Sequence, residues 1–219
     1  MRNSTRSLLY KELRLVVPPS YLGFTALTIF QLIPHYPFII GVTYFMLALF
    51  IVFSEANANK DHLFTISLPI PRNRVVLSKH LTVMAIELTQ LLFMVPFAII
   101  AAVIRPGGNL VGMDGNYAFF GFILISFAVF NLIFLPGYFK TGYKTGRPGV
   151  LASIGFSLSY GLFEFLVNVL PNAKKVIDTL KPEMVVYQVL ILAIGVLLYA
   201  GSMYFSYQKS VMNFDRVNL

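Results

Sequence analysis

Apolar positions along this chain of 219 residues gather into six long blocks, over 20–33, 38–53, 81–104, 117–139, 149–170 and 185–207. A helical membrane span needs about 20 mostly apolar residues and tolerates Pro and Gly inside it, so each block reads as a transmembrane helix. The breaks are equally plain: Pro34-His35-Tyr36-Pro37, Arg105-Pro106-Gly107-Gly108, the basic loop 140–148 and Pro171. The first two blocks are short, about 14–16 residues against the usual 17–25, so they borrow flanking residues or form a partial hairpin. Two amphipathic segments accompany the blocks. Over 4–17, Leu8, Leu9, Leu13 and Val16 share one face with Arg6, Lys11 and Arg14 elsewhere, the pattern of a basic helix lying in the interface plane. Pro18-Pro19 then marks the turn into the membrane. The stretch 172–184 reads as a short surface helix with Val176, Ile177 and Leu180 inward.

Composition supports the bilayer reading. The chain is 57% apolar and 12% charged, where soluble domains run about 45–50% and 25%, and its mean hydropathy is +0.75. The absence of cysteine excludes disulfides, thiolate metal sites and lipidated Cys anchors. Tyr36, Tyr117, Tyr138, Tyr143, Tyr187, Tyr204 and Tyr207 lie near block ends, where an interfacial aromatic belt would sit. Arg2, Arg6, Lys11 and Arg14 at the N-terminus precede no short apolar core with a small-residue cleavage site, so no signal peptide is expected.

The formal charge of +8 acts through its distribution. Basic residues fall between the blocks and form no dense stripe with interleaved aromatics, which argues for topology-setting charge and against nucleic-acid binding. Thirteen Lys/Arg lie on one side (the N-terminal segment, 54–80, 140–148 and the C-terminal tail) and four on the other. The richer side is expected in the cytoplasm, which makes this a multi-pass protein of the cell membrane with both termini cytoplasmic. Lys174, Lys175 and Lys181 are the exception, partly balanced by Asp178 and Glu183.

Candidate chemistry inside the chain is sparse. The nearest approach to a phosphate loop is Gly137–Gly142 followed by Tyr143-Lys144-Thr145, but a Walker A loop needs Lys directly after the second Gly and a strand before it. ATP binding by this chain is not expected. His35, His62 and His80 lie in separate segments without metal-ligand spacing, and no nucleophile elbow occurs, so neither a metal site nor an enzyme active site is expected. Glu87 and Glu164 fall inside blocks, where a charged group costs about 2.5–3.5 kcal/mol. Each either lines a translocation path or packs as a carboxylate bonded to a neighbouring helix. Gly155-x-x-x-Ser159 and Ser202-x-x-x-Ser206 allow close helix approach.

The informative segment is 54–80, SEANANKDHLFTISLPIPRNRVVLSKH. Asn59 or Asp61 can cap a short helix through Leu63-Phe64-Thr65-Ile66. Pro69 disfavours helical geometry at Leu68 and ends it, and Pro71 suits the first turn of a helix running through Arg72, Arg74 and Lys79 into the third block. Leu63, Phe64 and Ile66 would then be exposed at the cytoplasmic face, to lie on lipid headgroups or dock into a partner's groove.

Glu55, the string Asp61-His62-Leu63-Phe64-Thr65-Ile66-Ser67-Leu68-Pro69, Arg72, Val75-Val76 and Lys79-His80 resemble the permease subunits of ABC-2 type ATP-binding-cassette exporters. Within that family the chain looks similar to permeases of bacterial exporters of phenol-soluble modulins, amphipathic peptide toxins. His80 departs from the aromatic, such as Tyr, expected at that place. The resemblance implies an all-α, six-span fold like the type V exporters, with an N-terminal elbow helix (4–17), a cytoplasmic coupling helix (61–68) and a small external helix before the sixth span. It further implies two permease copies, identical or related, above two separate ATPase subunits that hold the ATP and Mg²⁺. Asp61, Leu63, Phe64, Ile66, Leu68, Pro69 and Arg72 would contact the ATPase. An ion-coupled secondary transporter using Glu87 or Glu164 is the alternative, and a membrane scaffold or immunity protein is compatible with the composition.

Overall fold

The structure is a computed structural model that describes residues 2–16 and 20–217. Pro18-Pro19 lie outside the described residues, as does the side chain of Val16. The order is α1 (Arg2–Lys11), a π-helical turn (Glu12–Val16), α2 (Ser20–Ala26) continued by a 3-10 turn (Leu27–Leu32), α3 (Ile39–Ala58), α4 (Asp61–Ser67), α5 (Arg72–Ile104), α6 (Tyr117–Lys140), α7 (Gly146–Val169), α8 (Pro171–Ile177), a 3-10 turn (Pro182–Met184) and α9 (Val185–Asp215). No strand occurs among the described residues.

Five of these helices are long and apolar enough to cross a bilayer: α3, α5, α6, α7 and α9 with the turn before it. The protein is therefore an all-helical, polytopic membrane protein. The expected first span is shorter, a 12-residue apolar helix over Tyr21–Leu32 whose second half tightens to 3-10 geometry. Thr25, Thr28 and Gln31 on this segment face inward, with the Thr25 hydroxyl donating to the Tyr21 carbonyl and that of Thr28 to the Thr25 carbonyl. Hydroxyls that bond back to the preceding turn compete with the regular helical ladder, which accounts for the altered winding. Other helices run longer than hydropathy predicts. α3 continues through Ser54–Ala58, and α5 begins at Arg72 and reaches 33 residues.

The bundle is organised around α6. Of its apolar window 72% is buried, against 22% for α7 and 17% for α9, so α6 is the hub while α7 and α9 leave broad apolar faces exposed. α6 and α9 cross at two glycines: a Cβ on Gly195 would stand 2.5 Å from the Gly121 carbonyl oxygen, and one on Gly121 2.8 Å from the Ile191 carbonyl oxygen. Only glycine allows two backbones so close, and close backbone approach is what drives helix association in lipid. The small pairs expected from sequence also take part. Ser206 is buried and donates to the Asn131 carbonyl, while Ser159 accepts from Ser126.

The 172–184 segment is broken rather than one helix. α8 ends at Ile177, and the chain is extended through Lys181 before Pro182, the geometry that a following proline enforces. Ile177 packs on the core, and Asn116 and Gln188 donate their amides to the freed carbonyls of Ile177 and Thr179.

Candidate functional site: a braced helix between α3 and α5

At the end of α3 the chain reverses through Lys60, a non-glycine residue in the left-handed region (φ 53°). Its carbonyl accepts from the Leu63 and Phe64 amides at 2.9 and 3.4 Å. Lys60 holds the N-cap position with no side-chain cap, so neither Asn59 nor Asp61 caps α4 as expected. The Asp61 carboxylate is spent elsewhere. At the other end Leu68 is extended (ψ 145°) ahead of Pro69, and Pro71 stands at the N-cap of α5. The result is a seven-residue helix held between two turns.

The two faces of α4 differ sharply. Outward, Leu63 is 51% and Phe64 59% exposed. Inward, Thr65 is buried and Ile66 packs on the core, so Ile66 belongs to the inner face and is not exposed with Leu63 and Phe64 as the sequence pattern suggested. Leu68 is half-buried and Pro69 exposed. Arg72 turns toward α9: its guanidinium donates to the Phe214 carbonyl at 3.0 Å and lies 5.1 Å from the Phe214 ring centre. A cation at the last carbonyls of a helix satisfies groups the helix itself leaves unpaired.

Beneath α4 lies a ring of four alternating charges drawn from α1, the π-helical turn, α4 itself and α5. The Lys11 ammonium reaches Asp61 at 2.6 Å and Glu12 at 3.2 Å, and the Lys79 ammonium reaches Glu12 at 2.6 Å and Asp61 at 3.3 Å. Lys11 also donates to the Thr65 hydroxyl at 2.7 Å. Lys79 and Glu12 are almost wholly buried, with side-chain exposures of 3% and 1%, whereas Lys11 and Asp61 retain 12% and 15%. Such burial is tolerable only because every charge has opposite neighbours. Burial would raise the Asp61 carboxyl, but Lys79 and Lys11 outweigh it and hold it below the usual carboxylate range. The ring rests on aromatic side chains: Lys79 lies 5.8 Å from the Phe53 ring centre, and Phe53 packs edge-on against Phe134 and Tyr138.

The sequence pattern sets Lys11 off the apolar face of an interfacial helix and gives Glu12 no role. In the fold the π-helical turn at Glu12 brings that carboxylate under α4, while Leu13 of the expected apolar face is 42% exposed. An acidic residue amid three basic ones in an amphipathic helix was the only local signal, since its partner is 67 residues away.

Glu87 and Glu164 are not brought together. Glu87 is fully buried between α5, α6 and α9, where its carboxylate accepts from the Tyr199 hydroxyl at 2.6 Å and the Asn131 amide at 2.9 and 3.1 Å. Glu164, half-buried on α7, has an oxygen 2.9 Å from where a Cβ on Gly112 would be, and so lies under the loop between α5 and α6. His80 occupies an aromatic slot, stacked on Phe139 and edge-on to Tyr207, with its ring nitrogens bonded to the Val76 carbonyl and Ser206. A flat ring with hydrogen-bonding capacity fills this slot. Among the described residues no cluster of three His, Asp or Glu is arranged to hold a metal ion.

A family model described as "ABC-2 family transporter protein" matches residues 7–214. The chain belongs to the ABC-2 transporter family. Comparison with curated proteins and with solved structures returned no match. The ABC-2 match begins inside α1 and ends inside α9, so the charge ring, α4 and the whole bundle fall within the shared region. Family and fold together make this ABC-2 protein an integral membrane component of a transport system.

Proposed function

We propose that this ABC-2 protein is the membrane-spanning permease subunit of an ATP-driven exporter. It would work as a homo- or heterodimer with separate cytoplasmic ATPase subunits, which supply the ATP and Mg²⁺ sites. α4 is the coupling helix and α1 the elbow helix, both on the cytoplasmic side together with the termini. The 21–32 segment completes the sixth crossing with help from its flanks. The cargo is an amphipathic peptide or similar lipophilic molecule, the class the resemblance to peptide-toxin exporters suggests.

The observation that carries this reading is the outward pair Leu63 and Phe64 on a helix whose inner side meets the body of the protein through ion pairs. An unattached loop has no reason to hold two large apolar side chains out of its own core. Seating both in a partner's groove would yield about 1.5–3 kcal/mol each. The ion-coupled alternative draws less support, because the Glu87 oxygens already take three hydrogen bonds from neighbouring helices.

The test is co-expression with the ATPase encoded nearest to the gene. Leu63→Asp and Phe64→Asp should each cut ATPase co-purification at least about tenfold, the ratio produced by 1.4 kcal/mol, while leaving membrane insertion and thermal stability intact. Normal co-purification with both variants overturns the assignment.

A further inference from the structure

The charge ring has a geometry that a simple brace does not require. Each cation touches both anions, one closely and one at longer range: Lys11 at 2.6 Å from Asp61 and 3.2 Å from Glu12, Lys79 at 2.6 Å from Glu12 and 3.3 Å from Asp61. Asp61 rides on α4, Lys11 and Glu12 on the N-terminal helical segment, and Lys79 on the long span α5. A displacement of α4 by less than one ångström carries Asp61 from its close contact with Lys11 toward Lys79, and leaves no buried charge alone because Glu12 stays with Lys79 and Lys11. An apolar interlock of the same volume would resist that motion, because close-packed side chains have discrete arrangements. A single ion pair would break and leave one charge desolvated, which is costly in a buried setting. Among the described residues, the other inward contacts of α4 are Thr65, whose hydroxyl accepts from Lys11, and Ile66, which packs on the core, while Leu63 and Phe64 face outward.

We propose that the Lys11–Glu12–Asp61–Lys79 ring is a joint on which α4 rocks, and that Lys79 and Glu12 are positioning residues passing its movement to α5 and to the N-terminal helical segment. The proposal rests on α4 being the ATPase-docking helix. It adds that the contact must remain movable, which separates a joint from a structural clamp.

The chain contains no cysteine, so an introduced pair reacts alone within it. Lys11→Cys with Asp61→Cys removes one charge of each sign and leaves Glu12 and Lys79 paired. The double variant, co-purified with the ATPase in nanodiscs, is bridged by a short bifunctional methanethiosulfonate and then released with dithiothreitol. ATP hydrolysis by the complex is the readout, so the cargo need not be known. The bridged complex should keep its ATPase subunits and its melting temperature but hydrolyse ATP at least tenfold more slowly, with recovery on reduction. Hydrolysis unchanged by bridging shows a clamp and overturns the joint. If the reduced double variant is itself inactive, its melting temperature decides: hydrolysis lost at the parental melting temperature supports the joint, and hydrolysis lost together with a lowered melting temperature shows a clamp and overturns it. Loss of ATPase association in the Leu63→Asp control, alongside retention in the bridged complex, shows that the docking reading holds whichever way the joint is decided. Retention in both variants means that the docking reading itself has failed.

Discussion

Removing the Lys79 ammonium should be more damaging than removing Lys79 together with its partner. Lys79→Met keeps most of the side-chain volume but leaves Glu12, 1% exposed, with only the 3.2 Å contact to Lys11, itself already engaged by Asp61. Truncating one member of a buried pair costs about 3–5 kcal/mol, whereas replacing both members by apolar groups is often neutral. For a chain of this length each kcal/mol moves the melting temperature by about 2–4 °C, so Lys79→Met should melt roughly 6–20 °C below the parent. Glu12→Leu with Lys79→Met leaves Lys11 and Asp61 at 2.6 Å and should recover most of that loss. The assay is thermal unfolding of the purified protein in one detergent, with all four corners of the cycle measured. Because this half of the ring is buried, the coupling should persist at high salt. Losses that simply add, or a single variant no less stable than the parent, would refute the claim that Lys79 and Glu12 form a desolvated pair.

Other expectations follow from separate parts of the molecule. A Cβ on Gly195 meets backbone at 2.5 Å, which no rotamer change relieves, so Gly195→Ala should cost about 1–3 kcal/mol, while Gly161→Ala, with nothing within 4 Å, should be neutral or slightly stabilising in the same melt. Tyr199→Phe removes one interhelical hydrogen bond to Glu87 and should cost about 0.6–1.7 kcal/mol by thermal unfolding, leaving ATPase association unchanged. Asp178 accepts the Asp114 amide at 2.8 Å, and burial pushes its carboxyl above the ordinary value despite that bond and Lys174. A raised carboxyl contributes stability that is present below the unfolded pKa of about 3.9 and lost as pH rises through the folded value. Asp178→Asn, which keeps an acceptor oxygen, should therefore equal the parent near pH 3 and exceed it at pH 7 in melting temperature.

Much of the architecture was legible because hydrocarbon imposes a simple code. Long apolar blocks, Pro/Gly breaks and basic connections mark α3, α5, α6, α7 and α9, and the Pro69–Pro71 spacing marks the end of α4. Other features depend on partners far along the chain. Nothing near Glu12 reveals that it will meet Lys79, and nothing near Asp61 reveals that its carboxylate serves a buried ring rather than a cap or a protein interface. Ile66 lies two residues beyond Phe64 in a polar segment, so composition alone grouped it with the exposed pair, and only the helix phase separates them. The Gly121–Gly195 crossing was hidden because each glycine stands alone within its block, whereas the Gly155 and Ser202 motifs are local and visible. Glu87 shows the same limit. A carboxylate in a span can serve cargo or packing, and the distinction rests on Asn131 and Tyr199, 44 and 112 residues away.

The central claim is that the outward face of α4 meets an ATPase. A photo-crosslinking phenylalanine analogue placed at Phe64 tests it directly, with Phe205, 65% exposed on α9, as the reference position. After irradiation in cells expressing the complete transporter, the Phe64 position should yield an adduct of this chain with a nucleotide-binding subunit, and the Phe205 position should not. Lipid adducts alone at Phe64, or the same protein adduct from both positions, would contradict the account.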